Sequence, residues 1–339
     1  MSLIIALPII AISALLLSRV PEIAQVGLSA LPLAIIIGIT WGHISRRTAT
    51  DKEMKFTKFC QQKLLRGGII LFGFSLSFQQ ILAVGWEAVI LDAIVITTVF
   101  CVGAYLGIKV FKLDREVAIL TSAGSAICGA AAVLATESAL KARQQSVTIA
   151  VGTVVLFGTI AMFSYPFIFQ LSSMSPEAFG IYIGSTVHEV AQAVAAGDTV
   201  AQQALASGDT TGITALENAV VVKLIRVMML APFIVILSAA MMRLATGDAE
   251  KGKITIPWFV FGFLAAAGIN SVIAIPEVTL TGLQLASQLL LAIAMAALGT
   301  QTQWKTMRQA GVKPILLALI LFILLIFGGY FLNIWLIGG

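Results

Sequence analysis

The residues that could do chemistry in this sequence lie in two short stretches of an otherwise apolar chain. His188 and Glu189 stand side by side within GSTVHEVAQAVAAG, residues 184–197. Lys223 and Arg226 interrupt NAVVVKLIRVMMLAPFIVIL, a stretch with the composition of an apolar helix. Arg226 lies about 14 Å from the polar start of that helix, near the middle of a membrane, and Lys223 shares its helix face. Two buried cations on one face predict a binding site for an anion.

Each of these groups also has a structural interpretation. Glu189 can neutralise a cation as a buried ion pair, and Lys223 can extend toward the membrane surface. His188 can be a hydrogen-bonded core residue, or it can carry a coupling proton because histidine titrates near neutral pH. Asp92, a lone acid in an apolar stretch, is a further candidate for handling protons. The predicted proton-coupling residues are therefore His188, Glu189 and Asp92.

Motifs of enzymes and metal sites are absent from the sequence. HEVAQ, residues 188–192, has Gln192 where an H-E-x-x-H zinc site needs a second histidine. AGSAICG, residues 123–129, does not form G-x-S-x-G, and no G-x-x-x-x-G-K-[ST] occurs. The three cysteines lie far apart without the spacing of a disulfide framework or a metal site. We therefore expect no enzyme activity, no bound metal and no cofactor.

The composition is that of a protein embedded in a membrane. Only 11% of the residues are charged, against about 25% in soluble domains, and the mean hydropathy is +1.01. The apolar runs do not alternate as barrel strands do, so the sequence predicts an all-α polytopic membrane protein with about nine to eleven transmembrane helices. The apolar segments are Leu3–Leu17, Leu28–Ile44, Leu65–Leu82, Ala88–Gly107, Val117–Ala139, Val147–Leu171, Phe179–Ala196, Ala219–Met242, Pro257–Ile275, Leu283–Thr300 and Ile315–Ile337.

The positive charges predict which segments cross the membrane. The basic loop 45–63 is cytoplasmic by the positive-inside rule, and the aromatic residues among its lysines predict a short interfacial helix. The basic loops 109–115 and 141–143 favour the cytoplasm too, although only Val117–Ala139 separates them. A single segment between two cytoplasmic loops must enter the membrane and return.

A second segment is also predicted to enter the membrane and return, in this case from the outside. Phe179–Ala196 lies between two linkers without Lys or Arg, one near Pro176 and one at 197–212. The sequence therefore predicts two re-entrant hairpins, one dipping in from each side. The alternative is two broken helices that cross. Either way, a backbone break at membrane depth requires surrounding protein or a water-filled cavity.

Short matches within the chain predict an internal repeat. GSAICGAAAVLA (124–135) resembles GSTVHEVAQAVA (184–195), and GFSLSFQQILAVG (73–85) resembles GTQTQWKTMRQAG (299–311). In the predicted topology both pairs run in opposite directions, which is the inverted-repeat design of many secondary transporters. The predicted limits are residues 1–339 for a single transmembrane transporter domain, 28–171 for its first half and 176–337 for its second half.

The stretch TSAGSAICGA, residues 121–130, permits a break in the helix because its residues are small. A helix that starts at such a break presents free N–H groups to an anion. The alternative is close helix packing through small residues.

Several motifs together resemble the YeiH-type family of sulfate exporters. GSAICGAAAV, GSTVHEVAQAVAAG, VVKLIRVMML, IPWFVFGFLAAAGINS and AMAALGTQTQWKTMRQAGVKP follow one another over about residues 28–330. The resemblance implies the cation–proton antiporter and anion transporter superfamily, a homodimer in the bacterial inner (cytoplasmic) membrane, and a sulfate-like substrate. The predicted substrate-binding residues are Gly124, Ser125, Cys128, Gly129, Ser185, His188, Glu189, Gln192, Lys223 and Arg226.

The sequence thus predicts a secondary active transporter of a small anion, sulfate-like by resemblance and driven by an ion gradient, with the proton as the expected ion. The expected partners are that anion and the lipid bilayer. Nucleic acid is not expected, because the basic residues cluster in short loops as membrane topology requires. Two alternatives stay open. One is a cation–proton antiporter, which needs an intramembrane carboxylate as its main ligand, and the other is a membrane sensor or assembly subunit that transports nothing.

Overall fold

The computed structural model is helical through most of its described residues, which are 2–20, 30–45, 50–244, 258–273, 275–301 and 311–338. The predicted all-α class is confirmed. The described part contains five helices long and apolar enough to cross a membrane: Gly85–Val110, Gln145–Leu171, Ile213–Met241, Glu277–Thr300 and Val312–Ile337. Most of the predicted repeat at 299–311, and Arg46 and Arg47 of the basic loop, lie outside the described residues.

The helices follow the predicted apolar segments, with breaks inside several of them. Their bounds are α1 Leu3–Leu17, α2 Ala30–Ile44, α3 Asp51–Phe59, α4 Leu65–Phe72, α5 Phe78–Ala83, α6 Gly85–Tyr105, α7 Arg115–Ala126, α8 Ala130–Leu140, α9 Gln144–Leu171, α10 Pro176–Thr186, α11 Val190–Ala206, α12 Ile213–Met228, α13 Leu230–Leu244, α14 Trp258–Val272, α15 Glu277–Gln301, α16 Val312–Ile323 and α17 Gly329–Ile337. Short π-helical turns follow α3, α6 and α16.

The chain forms two compact units. Unit 1 comprises Met1–Gly85, Val194–Glu217 and Trp258–Gln303, and unit 2 comprises Trp86–Ala193, Asn218–Pro257 and Trp304–Gly339. Helices α11 and α12 each begin in one unit and end in the other. Every residue predicted for the functional site belongs to unit 2.

In unit 1, α2 and α15 pack closely because α2 carries two glycines four residues apart. A Cβ atom at Gly38 would lie 2.5 Å from the carbonyl oxygen of Ala296, and one at Gly42 would lie 2.7 Å from that of Thr300. No side chain fits at such distances, so the pair acts as a small-residue packing motif of membrane helices.

Unit 1 also ties α3 to the start of α1 through the carboxylate of Glu53. Glu53 accepts hydrogen bonds from the backbone N–H of Thr50 (2.8 Å), the hydroxyl of Ser2 (2.9 Å), the backbone N–H of Leu3 (3.1 Å) and the hydroxyl of Thr50 (2.9 Å). These bonds stabilise the charged form, the one from the Thr50 backbone most strongly, and they lower the pKa of Glu53 to about 2.

We expect Glu53 to make the stability of the protein depend on acidity. A carboxylate whose pKa is lowered by folding contributes its full stability above the unfolded value of 4.5, and that contribution is lost as the pH falls toward about 2. Glu53→Gln should therefore unfold at a lower temperature than the wild type at about pH 7, and the difference should narrow at about pH 3. Thermal unfolding in detergent measures the difference in unfolding temperature at each pH, with the exposed Glu277→Gln as the control. An equal difference at the two pH values would contradict this role.

In unit 2, residues 115–140 form a hairpin, called hairpin 1, from α7 and α8. The helix breaks between Ala126 and Ala130, where Gly129 adopts a φ of +67°. Helix α9 packs against both arms and supplies half of their shared apolar core. That core consists of Leu120, Val133, Ala142, Val147, Ala150 and Val154.

The two ends of hairpin 1 meet at one place. The Arg143 backbone N–H and Nε, just after α8, donate to Glu116 at 3.0 and 3.1 Å, and its guanidinium pairs with Asp114. Further along, Gly124 of α7 packs against Val154 of α9. Helices α7 and α9 therefore run in the same direction, and α8 returns the chain to its entry point. The segment re-enters rather than crosses.

Residues 176–206 form the second hairpin, called hairpin 2, from α10 and α11. The Asn218 side chain of α12 donates to the carbonyl of Glu177 at the start of α10 (3.1 Å). Gly184 packs against Val222 further along the same two helices. Helices α10 and α12 therefore also run in the same direction, so the chain that leaves α10 at Thr186 has returned, by Asn218, to the end where α10 began.

The two hairpins enter unit 2 from opposite ends. Tyr165 stacks on Tyr182 with ring centroids 4.8 Å apart, and Phe169 meets Phe179 at 5.1 Å. Helices α9 and α10 are therefore antiparallel. Helix α7 is parallel to α9, and α12 is parallel to α10. Hairpin 2 and α12 therefore repeat the element order of hairpin 1 and α9, but they run in the opposite direction. This is the predicted inverted repeat.

Accessibility labelling tests the two turns. Ala142 and Ala204 are buried, so the exposed neighbours Lys141 and Ser207 are the better probes. In a background without native cysteines, we expect Lys141→Cys and Lys109→Cys both to react with an impermeant thiol reagent from the cytoplasm, and Ser207→Cys to react only from outside. Reaction of Lys141→Cys from the side opposite to Lys109→Cys would mean that α7 and α8 cross the membrane.

Candidate functional site

The tips of the two hairpins meet at Arg226. Its Nε and Nη2 donate to the carbonyl of Ala126 at 2.9 and 2.6 Å, and Nη2 also donates to that of Ser125 at 3.1 Å. Its Nη1 donates to the carbonyl of Val187 in hairpin 2 at 3.2 Å. One fully buried guanidinium therefore joins both tips.

Lys223, one turn earlier on α12, makes the same connection. Its Nζ donates to the carbonyls of Ile127 (2.9 Å) and Val187 (2.5 Å), and its side chain is fully buried. The last carbonyls of a helix lack intrahelical partners and carry partial negative charge. The two cations supply those partners for α7 and α10 at once. We call this cluster, from Ser125 to Ala130 with Val187, His188, Glu189, Lys223 and Arg226, the tip site.

This geometry differs from both expectations drawn for the cations. The sequence predicts free N–H groups beside them, whereas their observed partners are carbonyl oxygens. The alternative was an ion pair with Glu189, but among the described residues neither Lys223 nor Arg226 forms a salt bridge with it. The reason is that α7 and α10 present C-terminal ends to α12, and such ends attract cations.

Glu189 instead binds the start of α8. Its Oε1 accepts a hydrogen bond from the backbone N–H of Ala130 at 3.2 Å, across from one hairpin to the other. Its side chain fills the space that a Cβ at Gly129 would occupy. With a φ of +67° as well, position 129 accepts only glycine. A helix N-terminus favours negative charge, so this carboxylate sits where an anion is expected.

Gln192 holds the tip of hairpin 2 in place. Its side-chain oxygen accepts the backbone N–H of Glu189 at 3.1 Å, and its amide nitrogen donates to Val155 and Thr159 of α9 at 3.4 Å. Gly158 leaves the room that this amide needs. Gln192 is therefore a positioning residue in this structure.

Several fully buried polar groups of unit 2 have no hydrogen-bond partner within the described protein. Three belong to predicted residues: the Ser125 hydroxyl, both ring nitrogens of His188 and both carboxylate oxygens of Asp92. Buried polar atoms are almost always paired, and more strictly so in lipid, so unpaired ones mark places for water or ligand. Asp92 lies within electrostatic range of Arg226 and Lys223.

Sequence reasoning missed three further groups of this kind, namely Thr121, Thr136 and Asn333. Thr121 lies one turn before Ser125 on the same face of α7, a spacing that could have identified it. Asn333 is the lone amide in the apolar span Val312–Ile337. Thr136 carries no such signal, because threonine is common in membrane helices.

The remaining predicted residues have local roles. The Ser185 hydroxyl donates to the carbonyl of Tyr182 in its own helix at 3.1 Å. Gly124 allows α7 to contact Val133 and Val154. Cys128 is buried in the tip of hairpin 1. No cluster of three or more His, Cys, Asp or Glu that could hold a metal occurs in the described ranges.

Unit 1 contains a separate cavity of about 640 Å³. Its polar lining comes from the residues just after α1 and from α11, α12 and α15, and includes Arg19, Asp198, Gln202, Glu217 and Gln284. None of the predicted site residues lines it.

Comparison with known proteins assigns the family. The model of the family described as "Conserved hypothetical protein 698" matches residues 2–318. The chain belongs to this family, UPF0324. The UPF0324 inner membrane protein YeiH of Escherichia coli K12 is 47% identical over 318 residues, which cover 93% of this chain and 88% of YeiH. A UPF0324 membrane protein of Pseudomonas aeruginosa is 44% identical over 329 residues, covering 94% of this chain and 90% of the relative.

The predicted resemblance to YeiH and the predicted inner-membrane location are thereby confirmed. A more distant UPF0324 membrane protein, from Bacteroides thetaiotaomicron, is 40% identical over 316 residues, 91% of this chain and 90% of the relative. No solved structure matches the chain. This UPF0324 protein is a multi-pass protein of the bacterial inner membrane.

We expect Arg226 to be needed for the stability of the UPF0324 tip site. Arg226→Met would leave the carbonyls of Ser125 and Ala126 unpaired in a buried place, at a cost of about 1–3 kcal/mol for each. Arg226→Lys should unfold at an intermediate temperature, because an ammonium replaces only part of the planar fork. The unfolding temperature in detergent should fall in the order wild type, Arg226→Lys, Arg226→Met. The exposed Arg115→Met is the control and should unfold at the temperature of the wild type.

The same variants separate carbonyl capping from an ion pair. If Arg226 caps carbonyl groups, adding Glu189→Gln to Arg226→Met should not restore the stability that Arg226→Met loses. Recovery of stability in the double variant would show that Glu189 is the partner of Arg226.

Proposed function

We propose that this protein is a secondary active transporter that moves a small anion across the inner membrane and is driven by an ion gradient, with the proton as the coupling ion. The observation that carries this proposal is the meeting of two half-helix hairpins, entering from opposite ends, at a pair of fully buried cations. Inverted repeats with broken helices at membrane depth are the design of many secondary transporters.

The cations keep unused capacity for a ligand. A guanidinium has five N–H donors, and four hydrogen bonds of Arg226 are accounted for. An ammonium has three, and Lys223 uses two. One donor from each therefore remains in the tip site, where the Ser125 hydroxyl and the His188 ring nitrogens also lack a hydrogen-bond partner among the described residues. Such a set of donors suits the oxygens of a small oxyanion.

The substrate class follows from this chemistry together with the resemblance. Sulfate, sulfite and small sulfonates present several equivalent oxygens around a compact centre, which matches donors that converge from several elements. We propose that the protein moves such an oxyanion into or out of the cell without any covalent step. We propose no enzyme activity. We do propose a homodimer, which the family resemblance implies.

One observation favours a second candidate function, cation–proton antiport. Both oxygens of Asp92 are buried and accept no hydrogen bond from the described protein, so they could ligate a cation. The positive charges of Lys223 and Arg226 act against cation binding there. Transport assays in proteoliposomes separate the two: radiolabelled sulfate or sulfite flux supports anion transport, and sodium-dependent proton flux without anion flux supports antiport.

Ser125 and Ser185 provide a matched test of the anion site, because they occupy equivalent positions in the two repeats. The Ser125 hydroxyl has no hydrogen-bond partner among the residues that the structure describes, so Ser125→Ala should leave thermal stability unchanged or slightly raised. We expect it to weaken anion binding by roughly fivefold to tenfold, the scale of one hydrogen bond. The Ser185 hydroxyl is used within its own helix, so Ser185→Ala should bind normally.

The measurement is anion-dependent thermal stabilisation of the purified variants, with sulfate, sulfite and methanesulfonate as probes. Equal binding by wild type and Ser125→Ala would remove this hydroxyl from the site. Stabilisation by none of the probes would contradict the anion transporter.

A further inference from the structure

We propose that Glu189 is a built-in competitor of the transported anion, occupying the N-terminus of α8 until it is protonated. This inference rests on the proposed function, since it names how protons and anion are coupled at the tip site. It assigns the coupling proton to Glu189.

The contact between the two hairpins places a carboxylate where a substrate anion belongs. Glu189 Oε1 accepts the Ala130 N–H at 3.2 Å at the start of α8, a helix of 11 residues. The side chain lies directly against the Cα of Gly129, where any larger residue would displace it. Helix N-termini bind substrate anions in many proteins, and here the site is filled by the protein's own anion.

A second observation supports a ligand site in the same cluster. His188, the neighbour of Glu189, is fully buried, and within the described part of the chain both of its ring nitrogens and the buried Ser125 hydroxyl in the opposite tip have no hydrogen-bond partner. A carboxylate bound to one N–H leaves those groups without partners. An oxyanion with several oxygens has acceptors for Ala130, Ser125 and His188 together.

The charges around Glu189 make the exchange sensitive to protonation. The groups that face it are Lys223 on α12 and Cys128 in the tip of hairpin 1, with Gln192 on its own helix bonded to its backbone. Arg226 and Asp92 complete the cluster. When Glu189 and Asp92 are both ionised, their two negative charges equal the two positive charges of Lys223 and Arg226, so the cluster has no net charge. An added anion leaves an uncompensated negative charge in a buried site, unless a carboxylate takes up a proton.

Protonation of Glu189 removes both obstacles in one step. The neutral side chain no longer competes for the N–H of Ala130, and the charge of the incoming anion is balanced. Anion binding and proton uptake are then linked, so each strengthens the other by the same factor. Anion and proton would cross together, and a second acid, Asp92, would be needed to balance a divalent anion.

The test is the pH dependence of anion affinity in the full-length protein. For the wild type, the Kd for methanesulfonate, a monovalent anion, measured by calorimetry in detergent should rise with pH, by up to about tenfold per pH unit once Glu189 is ionised. Glu189→Gln should flatten this dependence and bind methanesulfonate about ten to a hundred times more tightly than the wild type at alkaline pH, because the competing charge is gone. Sulfate and sulfite serve as further probes.

Three control variants make the result specific. Asp209→Asn, in an exposed linker, should behave as the wild type, and His188→Gln should keep the pH dependence while weakening affinity. Asp92→Asn should keep a pH dependence of methanesulfonate binding, because the ionised Glu189 still occupies the N–H of Ala130. Loss of the pH dependence in Asp92→Asn or His188→Gln, but not in Glu189→Gln, would overturn the assignment to Glu189.

Proton uptake by the wild type gives a readout that needs no variant. Binding of methanesulfonate in weakly buffered solution should take up about one proton per anion at alkaline pH. Anion binding without proton uptake would overturn this inference and leave the proposed function standing. Absence of binding by every probe, at acidic as well as alkaline pH and also in Glu189→Gln, would overturn the proposed function itself.

Discussion

The hydrogen bonds from Lys223 and Arg226 to the ends of two half-helices are the interaction on which unit 2 depends. Hairpins that stop in the middle of a membrane expose carbonyl groups that neither water nor lipid can satisfy there. The observed solution uses two cations from a single neighbouring helix, donating to Ser125, Ala126, Ile127 and Val187. The same side chains therefore hold the backbone together and bring positive charge to the place where the hairpins meet.

This double use explains the chemistry of the surrounding residues. A structural role alone would favour complete pairing of every buried polar atom, as at Ser185 and Gln192. Ser125, His188 and Asp92 depart from that rule, since their buried polar side-chain atoms have no hydrogen-bond partner in the described ranges. Natural proteins depart from full pairing mainly at functional sites. The contrast between paired and unpaired polar groups within a few residues of each other is the basis on which we propose a ligand site here.

The sequence predicted the membrane class, the hairpins and the residues that meet, because each depends on local composition or on a simple count of charges between segments. Lys223 and Arg226 were recognisable since a cation in an apolar helix is costly wherever it points. Their partners were not predictable. Whether a buried cation meets a carboxylate, an N–H-rich turn or a helix C-terminus depends on the direction in which three separate helices approach, and short motifs do not encode that direction. For the same reason Glu189 was expected to neutralise a cation, whereas it binds the N–H of Ala130.

The separation along the chain between the hairpin 1 tip and its cations has a consequence for biogenesis. Arg226 lies 100 residues after Ala126, and Lys223 lies 96 residues after Ile127. The arms of hairpin 1, of 12 and 11 residues, are each too short to span about 30 Å of hydrocarbon and so cannot be inserted one at a time as ordinary transmembrane helices. Until α12 leaves the ribosome and enters the bilayer, the tip carbonyls have no permanent partners. The final packing of the first hairpin therefore depends on the insertion of α12, the last helix of the second repeat, and is a late step in the assembly of the two hairpins.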